Sequence, residues 1–353
     1  MFKPRMFVIV LGLLIFVGLI IGHFASDNDR FVKVIHNQTT AQKLPSAKPQ
    51  NSANRRFKPA NAMKVFTIGL GSEDALFNPY WVKVDKFKNI YILDGGDFTI
   101  KKFSPEGRFS NRFGKGKGQG PGELLNPTDF TVAMNGDVWI CDPIAGIITI
   151  FNPDGSIKQT IRLKSLPQRI VLLNCGDFII MPAIPITHLF EKYNAAGKLQ
   201  SSFGSLLPNQ DELHLLIDGW IEIGNDNALY FTFVRAGLIA SFSSQGVLRF
   251  FVETIDRIPL PKIEVFAKGS GMRIDQKAPL AALSMNVIDS TIYILSWAGS
   301  IGRKGMVVDT YRTADGAYLE SFEIPEKCRF AYFTEKSIYT VEDTTVAKWK
   351  MGF

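Results

Sequence analysis

From residue 63 onward the apolar residues fall in short runs rich in Ile, Val, Tyr and Phe, broken at close intervals by Gly, Asn, Asp and Pro. Alternating β-branched and aromatic runs bounded by such residues predict strands, and no convincing amphipathic helix interrupts them. One run returns six times: IYILD at Ile90, VWICD at Val138, FIIMP at Phe178, LYFTF at Leu229, IYILS at Ile292 and IYTVE at Ile338. The spacings are 48, 40, 51, 63 and 46 residues. A recurring unit of this length marks a repeat architecture, in which each unit buries its apolar face against the next.

The first two units can be laid over one another at an offset of 48, which pairs Asp94 with Asp142, Ile100 with Ile148 and Phe103 with Phe151. The turn SPEG at Ser104 falls on NPDG at Asn152, and similar turns follow Tyr193, Phe242 and Tyr311. Each unit reads as three strands and a fourth that leads onward. The last unit has only three, and a fitting fourth lies near the start of the repeats, at Met63–Gly71. A ring closed in this way leaves no open sheet edge. The predicted fold is therefore all-β: a six-bladed β-propeller of four-stranded antiparallel blades, closed by an N-terminal strand, over residues 63–353.

The series Asn78-Pro79, IYILD, the Phe103–Gly107 turn and FGKGKGQGPGELLNP (Phe113–Pro127) resembles NHL-repeat propellers. More closely, it resembles bacterial six-bladed propeller proteins of the TolB-like superfamily that carry this Gly-rich linker. The likeness is specific over roughly residues 66–160 and looser beyond. It implies a secreted or anchored protein, although no cysteine here is placed to accept a lipid. The linker itself is no phosphate loop: no hydroxyl residue follows Lys115 or Lys117, the glycines recur at every second position, and a strand comes next. Asp94 and Asp142, repeated at one blade position, are expected to accept turn hydrogen bonds.

Ahead of the repeats, Lys3 and Arg5 precede an uncharged run, Met6–Gly22. Residues 1–25 are expected to form a transmembrane helix, an uncleaved signal anchor with the propeller extracytoplasmic; cleavage would release it as a secreted protein. Residues 26–62, polar and basic with several prolines, are expected to be a flexible linker. Residues 1–64 hold ten Lys/Arg against two Asp, while the rest of the chain holds 30 basic and 31 acidic side chains, so the net charge of +7 belongs to the N-terminal part. A near-neutral repeat region offers no basic groove, and nucleic acid is not an expected partner. Three widely spaced cysteines form neither a metal-ligand pattern nor a disulfide framework, and Cys141 is expected to be buried.

Catalytic signals are sparse. Four histidines are present, two of them (His23 and His36) outside the repeats. The inner strands offer Asp129, Arg169, Glu222 and Asn286, a mixed set without an evident metal cage. No catalytic residue, metal site or cofactor is assigned. Candidate ligand contacts are Tyr80, Trp81, Asp129, Arg169 and Trp220 on the inner strands, together with Trp297 and Arg303 in SWAGSIGRKG. The long interval Glu253–Pro279 adds a candidate contact surface. The expected function is a membrane-tethered binding or scaffolding module for a protein, small-molecule or glycan ligand. The alternative is a channel-centred, metal-dependent hydrolase or lyase.

Overall fold

Every one of the six marker runs is the second strand of a four-stranded antiparallel sheet. The computed structural model describes residues 33–35, 47–71, 75–184, 188–206, 217–266, 271–275 and 277–352. The inner strands of blades one to six are Pro79–Val84, Asp129–Val132, Pro167–Leu172, Gly219–Ile223, Ala282–Ile288 and Phe330–Phe333. Each contacts the next, and the sixth contacts the first, so the ring closes. Blade six takes its outer strand, Asn61–Ile68, from the N-terminal side, paired with Val346–Gly352. The predicted closure is thus observed, starting two residues earlier than the apolar pattern indicated.

The turns between third and outer strands explain why the repeat is visible in the sequence. In blades one to four the residue after the third strand and the turn glycine make the same pair of backbone bonds, such as Gly155 N to Asn152 O at 2.9 Å and Asn152 N to Ser156 O at 2.8 Å. Each of these hairpins carries a bulge, which needs one residue at positive φ. Glycine fills that position without a steric penalty. It also lets the hairpin press on the preceding blade: a Cβ on Gly197 would lie 2.3 Å from Ile161 Cγ2. Apolar cores fill the wedges between blades, as where Phe190 of blade three meets Phe231 and Phe242 of blade four edge-on.

The Gly-rich linker closes on itself. Lys115 N donates to Gly122 O at 2.8 Å, Leu124 N to Gly116 O at 2.9 Å, and Gly120 N to the Glu123 carboxylate at 2.8 Å. With these amides used internally and Leu124 fully buried, the loop is a structural crossing between blades. Asp94 accepts from the amides of Phe77, Asn78 and Gly96, and Asp142 from those of Leu125, Asn126 and Ala145, which is the expected turn bonding. Cys141 is buried and unpaired, and burial pushes its thiol up.

Two expectations at the N-terminal end meet the structure differently. The predicted membrane helix, residues 1–25, lies outside the described residues; among those described, no helix is long and apolar enough to cross a membrane. The predicted linker, by contrast, is partly described, and residues 47–60 are strapped to the propeller rim. Lys48 pairs with Val252 at the edge of blade four, and Phe57 pairs with Ser321 at the edge of blade five. Gln50 is buried, donates to Gly316 O and accepts from Tyr318 N. Arg55 forms a bidentate pair with the fully buried Asp309, at 2.9 and 2.8 Å, and also pairs with Asp256. Polar composition suggested a solvated spacer, but in a segment this polar the docking is done by hydrogen bonds and charge rather than by apolar burial. The Glu253–Pro279 interval likewise contains a hairpin, Ile263–Phe266 with Gly271–Ile274, onto which Lys33–Ile35 adds a third strand.

Candidate functional site

Side chains alternate along a strand, so residues two apart on an inner strand share a face. This rule stacks two layers of side chains around the channel. The first layer comes from near the starts of the inner strands and contains Trp81, Asp129, Arg169, Trp220 and Phe330. The second, two residues on, contains Lys83, Thr131, Val171, Glu222 and Tyr332, with Asn286 of blade five reaching Glu222.

The first layer is a plug. The Arg169 guanidinium lies 4.3 Å from the Trp220 ring centre and 5.2 Å from that of Trp81. The two indoles meet edge-to-face at 4.7 Å, and Phe330 packs on both, at 5.2 and 5.6 Å. Trp81 donates its Nε1 proton to Thr128 O at 2.7 Å, and Arg169 Nε donates to Gly219 O at 3.3 Å. Arg169 is only 4% exposed and its nearest carboxylate, Asp218, is 3.8 Å away, so the indole faces supply much of its compensation. Asp129 accepts from Ile170 N at 3.0 Å and stands 3.4 Å from Lys83 Nζ, linking the layers.

Arg169→Ala is therefore expected to lower stability by about 2 kcal/mol, from lost cation–π contact and an opened void. Tryptophan emission is expected to shift to the red with easier acrylamide quenching. Unchanged emission and unchanged urea midpoint would count against the plug.

Beneath the plug lies a recess of about 210 Å³, lined by the second layer and by Asn174 and Asn225 at the ends of the inner strands. Glu222, half-buried, forms part of its wall. One oxygen accepts from Asn286 Nδ2 at 3.3 Å, and Asn286 in turn accepts from Phe333 N. Burial pushes the Glu222 carboxyl up to about 7; Lys83 opposes that rise and Asp129 adds to it. The Tyr332 hydroxyl is raised by burial and by Glu222 beside it. Among the described residues, no three His, Cys, Asp or Glu side chains are grouped as metal ligands.

Of the seven candidate contact residues, the structure gathers four around the channel (Trp81, Asp129, Arg169 and Trp220) and sets three apart. Tyr80, next to Trp81, bulges from the strand, packs over Gly95 and accepts from Asn78 Nδ2 at 2.9 Å. Trp297 is half-buried against the core of blades five and six and opens a short 3-10 turn, Ala298–Ser300. Arg303 pairs with Glu323 at 3.3 Å and stacks on Phe57 of the strap at 4.3 Å. The surface expected to be free on blade five and the Glu253–Pro279 insertion is thus partly covered by the chain's own N-terminal segment. Lys83, Thr131 and Tyr332 were not singled out from sequence. The signal that finds them is the two-residue period, carried one step beyond Trp81, Asp129 and Phe330.

Fold and channel together define a six-bladed β-propeller with a plugged channel and a polar recess. Residues 67–185 match the family model DUF5128, described as a 6-bladed beta-propeller. No curated protein matches the sequence. Among solved structures, the chain is similar to a Bacteroides fragilis protein described as a candidate exported protein, with 10% identity, TM-score 0.59, and coverage of 87% of this chain and 99% of that one. It is also similar to a member of the duf4221 family from Bacteroides vulgatus, at 9% identity and TM-score 0.56, covering 85% and 99%. Virginiamycin B lyase from Staphylococcus aureus aligns at 16% identity and TM-score 0.52, covering 83% and 99%. At these identities the likeness is one of fold, which hosts many chemistries.

Proposed function

We propose that the chain is a binding module, held at a membrane by its apolar N-terminal run with the propeller on the extracytoplasmic side, whose recess takes a small polar ligand. The recess is what supports this reading. It is blind at the plugged end, and side chains from neighbouring inner strands converge on it with hydroxyl, amide, ammonium and carboxylate groups. Convergent polar groups in a concave site are the usual form of a small-ligand pocket. The ligand is a free small molecule or the terminal unit of a glycan.

Thermal unfolding of the full chain against a panel of sugars, amino acids and amines tests the site. At least one compound is expected to raise Tm in the parent and to have no effect on Thr131→Trp, which fills the recess. Compounds that stabilise both proteins equally would place the ligand elsewhere. For the tether, carbonate-washed membranes are expected to retain the full chain; release into the wash would refute it.

A second reading, a channel-centred hydrolase or lyase, is favoured by one observation. A carboxyl pushed up to about 7 titrates where a general acid or base works best. Conversion of the stabilising compound, abolished by Glu222→Gln, would decide for it.

A further inference from the structure

We infer that the recess takes a molecule bearing a primary ammonium group, of the amino-sugar type, with Glu222 as its counter-ion. This rests on the reading of the recess as a ligand site. The charges in the recess are unevenly matched. Lys83 is engaged by Asp129 at 3.4 Å and stands 5.7 Å over the Phe130 ring. Asp129 spends its other oxygen on the Ile170 amide at 3.0 Å. Glu222 has the long bond from Asn286 and a backbone hydrogen bond at Ile223; Lys83 acts on it only from beyond ion-pair distance, and no Lys or Arg among the described residues pairs with it directly.

A half-buried carboxylate paired with no cation is poorly compensated, and the recess it lines leaves room for a cation to arrive. An incoming ammonium donates to Glu222, and Thr131 and Tyr332 are the hydroxyl-bearing side chains that share the recess with it. An anionic ligand meets two carboxylates against one lysine already engaged. A neutral one leaves Glu222 uncompensated.

Matched hexoses separate these cases. The full chain in detergent is titrated calorimetrically with glucosamine, glucose and glucuronate. Glucosamine is expected to bind at least about tenfold more tightly than glucose, and glucuronate more weakly than either. Burial pushes the Glu222 carboxyl up to about 7, and an amine of this kind loses its proton near about 8, so glucosamine affinity is expected to rise several-fold from about pH 6 to about pH 7.5 and to level off or fall above that. Glu222→Gln is expected to reduce glucosamine to the affinity of glucose and to flatten that pH profile, with circular dichroism matching the parent.

Equal binding of glucosamine and glucose, preference for glucuronate, or an unaffected Glu222→Gln variant overturns the ammonium assignment and leaves the recess as a ligand site. Failure of all three sugars to bind overturns the amino-sugar assignment, whereas undiminished glucosamine binding by Thr131→Trp overturns both.

Discussion

Arg55→Met is expected to lower the unfolding free energy by about 3–5 kcal/mol, the range for stranding a buried charge. Asp309 sits in the third strand of blade five with none of its surface exposed. Two of its hydrogen bonds come from Arg55 and one from Ser321 Oγ at 2.6 Å. Asp256 shares the same guanidinium. With Arg55 gone, two carboxylates face each other with Ser296 and Ser321 as the remaining donors.

The pH dependence fixes the cause. Burial already raises the Asp309 carboxyl, although Arg55 pulls it down. A raised folded value gives stability that is complete below the unfolded pKa of about 4 and lost as pH rises through the folded value. Without Arg55 the folded value climbs further, so the deficit is expected to be larger at pH 8 than at pH 4.5. Asp309→Asn added to Arg55→Met is expected to recover much of the loss. A urea midpoint within experimental error of the parent at pH 8 would refute the strap's role. A chain cut to begin at residue 63 is expected to behave like Arg55→Met or worse, since Gln50 and the Phe57 pairing go with it.

The strap also shows where sequence reasoning stops. The blades were legible because each is made from neighbouring residues under one local rule. Glycine at positive φ in the hairpins, an aspartate at the end of the second strand and an apolar second strand recur at visible spacing. Arg55 and Asp309 are 254 residues apart and occur once, so no period reveals them. A partial signal did exist: Asp309 interrupts MVVDTY, an otherwise apolar run, and a carboxylate in a buried strand needs a cation from somewhere. The channel lies between these extremes. Its first layer was visible as aromatic and charged residues near the inner-strand starts. Lys83, Thr131 and Tyr332 follow two positions later, yet their convergence depends on ring closure, which composition alone does not convey.

Lys101→Met is the other substitution expected to cost about 3 kcal/mol or more, and it separates two copies of one device. Lys101 is 1% exposed, and its ammonium donates to Asp94 at 2.8 Å and Ala75 O at 2.7 Å, with the Asp97 carboxylate at 2.7 Å as a second ion-pair partner. Burial pushes the Asp94 carboxyl up, but Lys101 and then the Phe77 and Asn78 amides outweigh it and hold it below the usual range. The stability it contributes is present above a pKa of about 4 and is lost as pH falls through the depressed folded value. In blade two the position 48 residues on is Thr149, and Asp142 holds its turn with amides alone. Thr149→Met is therefore expected to cost far less than Lys101→Met. Adding Asp94→Asn to Lys101→Met is expected to restore much of the loss, because the uncompensated charge is then gone while the amides keep an acceptor. The loss is expected to shrink in acid, where Asp94 without its lysine takes up a proton. Asp94 also pins Phe77 and Asn78, the residues that deliver Trp81 to the plug, so tryptophan emission is expected to shift with the unfolding midpoint. Equal costs at residues 101 and 149 would show that the carboxylate, rather than the lysine, carries the turn in both blades.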